Sequence, residues 1–145
     1  MNDLKHKLKT VQFYLQKEAK RIIGIESLNF YKASFRNQGF TDNSLSKWSE
    51  VKRRKNPKTK GAAKTRKILT GDTKALSDSL EYQVTTDGAQ ITSDVVYSQI
   101  HNQGGKAGRN LTTDIPKRPF VGKSEDLNRK LQKVIEDDLN QILNP

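Results

Sequence analysis

Leu80, Tyr82 and Val84 alternate with Glu81, Gln83 and Thr85, and Asp87-Gly88 follows at once. Strict alternation places apolar side chains on one face of a strand and polar ones on the other. Asp-Gly supplies the positive φ angles of a two-residue type I′ turn. The expected register sets Val84 opposite Ile91 and Gln83 opposite Thr92. Such a hairpin has one apolar face, and that face has to be covered.

Helices supply the cover. From Asp3 to Ile23, Leu4, Leu8, Val11, Leu15, Ala19 and Ile22 fall three or four apart and form one stripe. Asn2 or Asp3 can cap this helix, and Gly24 is expected to end it. The spacing suits packing within the domain, or a seam between subunits. Ser27 is expected to cap a second helix with Leu28, Tyr31 and Phe35 on one face and Gly39 beyond its end. The two make a helical hairpin or one bent helix. Trp48, the sole tryptophan, follows the polar turn Thr41-Asp42-Asn43-Ser44 and is expected to anchor it. Lys74 to Ser79 and Val95 to about Asn102 read as short helical segments, the second capped by Ser93 or Asp94 and closed by Gly104. Ser124 caps a last helix, with Glu125 and Asp126 in its first turn and Leu127, Leu131, Val134, Ile135, Leu139 and Ile142 as its stripe. The order α, α, loop, β, β, α, α predicts an α+β fold. A small antiparallel sheet with a β-hairpin packs against the N-terminal and C-terminal helices. The 145 residues are expected to form one domain over residues 1–145.

The formal charge is +11, and it is uneven. Between Lys47 and Lys67 stand ten Lys or Arg and one acid, Glu50, so this segment carries +9 and leaves only +2 for the rest. Residues 52–67 have no apolar period and contain Pro57 and Gly61, which predicts a long, mobile basic loop. Lys52, Arg53, Arg54, Lys55, Lys58 and Lys60 are its candidate contacts. They can be solvated, meet an acidic protein partner, or release counterions from nucleic acid. No aromatic interleaves them, which gives base stacking little support. A second mobile loop is expected at about residues 104–114. Pro116 and Pro119 in Ile115-Pro116-Lys117-Arg118-Pro119-Phe120-Val121-Gly122 exclude a helix and favour an extended path.

Little in the chain suggests catalysis. Without cysteine there is no disulfide, thiolate metal site or cysteine nucleophile. His6 and His101 are the only imidazoles, and neither stands in a metal-ligand spacing. A hydrolase or metal enzyme built on His101 is the weakest reading, because the sequence identifies no orienting partner or nucleophile. Ser44-Leu45-Ser46-Lys47 has the S-x-x-K pattern but lacks its companion motifs. No apolar run is long enough to span a membrane, and no cofactor or metal is expected.

Three elements in order carry a resemblance. They are Ile68-Leu69-Thr70-Gly71 with Leu76-Ser77-Asp78-Ser79, then Tyr97-Ser98-Gln99-Ile100-His101-Asn102-Gln103-Gly104, then Ile115 to Gly122 before a terminal helix. The chain resembles the phage virion morphogenesis family, which includes the tail completion proteins of Mu-like phages. Asp72-Thr73-Lys74-Ala75 stands where that family has a leucine soon after Thr-Gly. The resemblance implies a structural protein of the virion that completes the tail or joins it to the head at the neck. It implies assembly in the host cytoplasm, a ring-shaped oligomer (a hexamer is one such ring), and contacts with other neck and tail proteins. Tyr97, His101, Gly104, Gly105, Arg118 and Phe120 would then shape a surface toward a neighbouring subunit, with Phe120 buried and Arg118 free to pair with an acid. A nucleic-acid-binding accessory protein using residues 52–67 is the alternative.

Overall fold

The computed structural model describes residues 1–145. One long helical rod opens the chain. Helix α1 (Asn2–Phe13) runs through a widened π turn at Tyr14–Glu18 into α2 (Ala19–Asn37). The rod continues through Gly24 and Ser27, both buried, so Gly24 does not end a helix and Ser27 does not cap one. The rod ends at Gln38, whose φ of 56° is left-handed. The Gln38 side chain offsets that cost: Nε2 donates to the Phe35 carbonyl, and Oε1 accepts from the Ile68 amide.

The π turn also breaks the expected stripe. One extra residue in a turn rotates the two halves of a helix by about 100° relative to each other. Ala19, after the turn, is buried, while Leu4 and Leu8 before it are exposed. Tyr14, in the turn, is buried and donates to Asp138 Oδ2 at 2.7 Å.

Three antiparallel hairpins follow, each a separate two-stranded sheet. The polar turn after Gln38 lies between β1 (Gly39–Thr41) and β2 (Leu45–Lys47). Single helical turns α3 (Lys52–Lys55) and α4 (Ala62–Thr65) occupy the basic segment, and α5 (Ala75–Asp78) leads into the main hairpin. That hairpin joins β3 (Leu80–Val84) to β4 (Ala89–Ser93). Val84 pairs with Ala89 and Tyr82 with Ile91, so the loop has four residues, Thr85 to Gly88, rather than two. The correction is a slip of two positions, which leaves every side chain on its expected face. Thr85 closes the wider loop: its amide donates to the Gly88 carbonyl, and its Oγ1 accepts from the Gly88 amide.

Helix α6 (Ser98–Gln103) runs into the hairpin of β5 (Gly105–Ala107) and β6 (Thr113–Ile115), where the sequence had offered only a loop. Helix α7 (Glu125–Leu143) closes the chain. Ser124 caps it as expected, with Oγ accepting from the Leu127 amide. A second cap comes from far away: Asp42 Oδ1 accepts from the Glu125 amide at 2.8 Å.

The core is small. Phe35, Trp48, Ile68, Leu76, Leu80 and Phe120 form its buried cluster, with Leu28, Tyr31 and Ile91 packed around it. Helix α2 covers the apolar face of the main hairpin. No helix is long and apolar enough to cross a membrane.

Candidate functional site

The segment Lys117 to Gly122 has no strand partner, yet its residues Arg118 and Phe120 are buried. A buried irregular backbone needs a partner for each polar group. Here the partners come mainly from side chains. Asn102 Oδ1 accepts from the amides of Phe120 (2.8 Å) and Val121 (3.0 Å), and its Nδ2 donates to the Val121 carbonyl. Trp48 Nε1 donates to the Pro119 carbonyl at 2.7 Å. Ser34 Oγ reaches the Phe120 carbonyl, and Tyr31 Oη donates to that of Gly122. The Arg118 amide donates to the His101 carbonyl at 2.9 Å. Three elements therefore converge on one extended strap: α2, the residue after β2, and α6.

Arg118 itself is only 6 % exposed. Its Nε and Nη2 donate to the Ser49 carbonyl, and Nη2 also reaches that of Glu50. The guanidinium thus ties the strap to the start of the basic segment. It pairs with carbonyls and with no acid. Burial, and next the charge of Arg53, pull it below the usual arginine value.

Tyr97 is the N-cap of α6 and meets His101 edge to face, with ring centroids 5.8 Å apart. His101 Nδ1 is buried without a hydrogen-bond partner. Burial, and next the Arg118 charge, push the imidazole below its ordinary value. A catalytic base of the triad type needs a carboxylate to orient it. His101 faces a tyrosine and an arginine instead. Its structural hydrogen bonds run through its backbone.

Gly104 ends α6 with a φ of 75°, and a Cβ there would lie 2.9 Å from the Lys117 amide nitrogen. Only glycine lets the strap pass so close. Gly105 follows as the first, exposed residue of β5. Phe120 lies in the core, packed at 5.1 Å between ring centroids on Phe35.

The basic segment divides in two. Arg53 donates to the carbonyls of Ala63, Arg66 and Lys67, and Arg54 to Glu50 and the Arg66 carbonyl. Both guanidiniums fold the segment onto itself. Lys52, Lys55, Lys58 and Lys60 stay exposed and make no ion pair. Of the residues expected to act together, Tyr97, His101 and Arg118 line one cavity of about 310 Å³, and Arg53 joins them. Asn102 was missed as a functional residue. An amide side chain before a Gly pair carries no sequence signal that it will hold a strap 18 residues away.

The profile of the phage virion morphogenesis family matches residues 20–141. The chain belongs to that family. The family is one of structural proteins of the virion, which fits a site whose side chains mainly hold backbone. The matched span begins within α2 and runs to the last turns of α7, so it includes every partner of the strap and leaves all of α1 and the π turn outside. Comparison with curated proteins gives no match, and comparison with solved structures gives none.

Proposed function

We propose that this virion morphogenesis protein is a tail completion or head–tail joining protein, acting at the neck as a ring of identical subunits, with a hexamer as the copy number the resemblance suggests. One observation carries the reading: the chain has more surface than it can use alone. A compact monomer of 16.5 kDa exposes roughly 7,500 Å², whereas this chain exposes 10051 Å². The excess, roughly 2,500 Å², suffices for two ordinary interfaces at about 800 Å² per partner each. Each subunit of a closed head-to-tail ring makes two.

Part of the uncovered surface is apolar and lies on the first and last helices. Helix α1 buries no residue, and Leu4 and Leu8, one turn apart on the same face, are 62 % and 57 % exposed. Leu131, Val134, Ile135, Leu139 and Ile142 of α7 are only half-buried. A second copy covers such stripes without new chemistry. Light scattering on the purified chain should give a multiple of 16.5 kDa, and Leu8→Glu should reduce it to the monomer. Phage lacking the gene should accumulate unjoined heads and tails. Normal infectious particles from that deletion would overturn the proposal.

Exposed Lys52, Lys55, Lys58 and Lys60 favour nucleic-acid binding as the second reading. It requires a gel shift at low salt that weakens steeply as salt rises. No shift at low salt removes it.

A further inference from the structure

The cavity beside the strap is lined by two guanidiniums and by no acid. Its walls are Val51, Leu69, Ala75, Leu76 and Tyr97, and its charged groups are Arg53 and Arg118, with His101 beside them. Arg118 is more than nine-tenths buried. Both guanidiniums bind backbone carbonyls through Nε and Nη2 and leave Nη1 without an acceptor. Neither forms an ion pair, and Glu50, the acid in this stretch, is engaged by Arg54 at 3.2 Å. Arg118, buried with only carbonyls for partners, is costly to keep charged beside Arg53, and an anion lodged against the two guanidiniums would relieve their repulsion. His101 stands at the wall of the same cavity, with its Nδ1 buried behind that wall.

We infer that this cavity is a socket for one carboxylate on a short aliphatic stem, an Asp or Glu side chain inserted by another polypeptide. The apolar wall suits a methylene stem, and the two guanidiniums suit a planar carboxylate, which Arg binds with parallel N–H donors. A phosphodiester fits less well. Its charge lies within a continuous backbone and cannot enter a recess of about 310 Å³ end-on. The inference names the chemistry of the partner group and rests on the assembly reading only for who carries it. In that setting Arg118 orders the strap from inside and reads an acidic neighbour from outside.

The test uses the isolated full chain, so it stands apart from whether rings form. N-acetyl-glutamate amide, N-acetyl-glutamine amide and inorganic phosphate are titrated separately, following backbone amide NMR signals and the fluorescence of Trp48, whose neighbour Ser49 holds Arg118. The glutamate compound should shift the Thr70, Gly71, Tyr97 and His101 amides saturably. It should bind at least tenfold more tightly than the glutamine compound and than phosphate. Arg53→Gln should weaken it about tenfold. Because Arg53 also holds three carbonyls, Thr73→Phe serves as the second variant. Thr73 lines the cavity, makes no hydrogen bond, and a ring there fills the recess while sparing both arginines. Equal binding of the glutamine compound, tighter binding of phosphate, or undiminished binding in Thr73→Phe would each overturn the socket. Ring formation would then still be judged by light scattering.

Discussion

A Cβ on Gly24 would lie 2.3 Å from Cδ2 of Tyr82 and 2.9 Å from its Cγ. The ring of Tyr82 therefore rests directly on the backbone of α2, and glycine is what lets the main hairpin approach the helix.

Gly24→Ala should destabilise the fold. Forcing a methyl into a filled site typically costs about 1–3 kcal/mol. The gain in helix propensity returns about 1 kcal/mol. Cγ and Cδ2 sit near the root of the ring, so the whole hairpin has to shift. The urea midpoint should fall in wild type. In a Tyr82→Ala background the same change should be neutral or stabilising, because only the helix gain remains. Equal loss in both backgrounds would remove Tyr82 as the cause.

Asn102→Leu should cost more than an ordinary surface change. It strips acceptors from the Phe120 and Val121 amides and a donor from the Val121 carbonyl. Unmet buried groups of this kind add up to about 2–4 kcal/mol. Asn102→Asp keeps the acceptor and loses the donor, so it should fall between. Hydrogen exchange at Phe120 and Val121 should speed up before exchange in α2 does. Unchanged protection at those two amides would show that the strap is held by other means.

Acid should weaken the fold in two separate windows. Burial first, and Arg118 next, hold the His101 imidazole below its usual value. The unfolded chain protonates near the usual histidine value of about 6.5. Below that pH the unfolded state binds more protons. The contribution is thus fully present above about 6.5 and is lost as pH falls toward the folded value. His101→Gln should flatten stability against pH in this window. Glu50 is also depressed, chiefly by the Val51 amide, and its contribution is lost lower, as pH falls below the usual carboxylate value. Urea midpoints measured from neutral to mildly acidic pH separate the two. A wild-type slope that persists in His101→Gln would assign it elsewhere.

The local signals were legible in the order of residues. Alternation over Leu80 to Val84 marked a strand, Ser124 with Glu125 and Asp126 marked the start of α7, and three short motifs marked the family. Each depends on neighbours within a turn or a strand, where backbone geometry and side-chain spacing act directly. The α+β layout followed from their order.

Tertiary contacts decided the rest. Gly24 looked like a terminator because glycine is a poor helix former, yet contact with Tyr82, far along the chain, made it an interior residue. The hairpin loop widened from two residues to four because Thr85 could close it. Stretches without periodicity still gained order, since Asn102, Trp48, Arg53 and Arg118 reach over 10 to 71 residues to meet backbone groups. Periodicity reports only which side chains share a face. A hydrogen bond between residues distant in sequence exists only once the chain has folded them together, so the strap and the cationic cavity beside it belong to the fold and not to any motif.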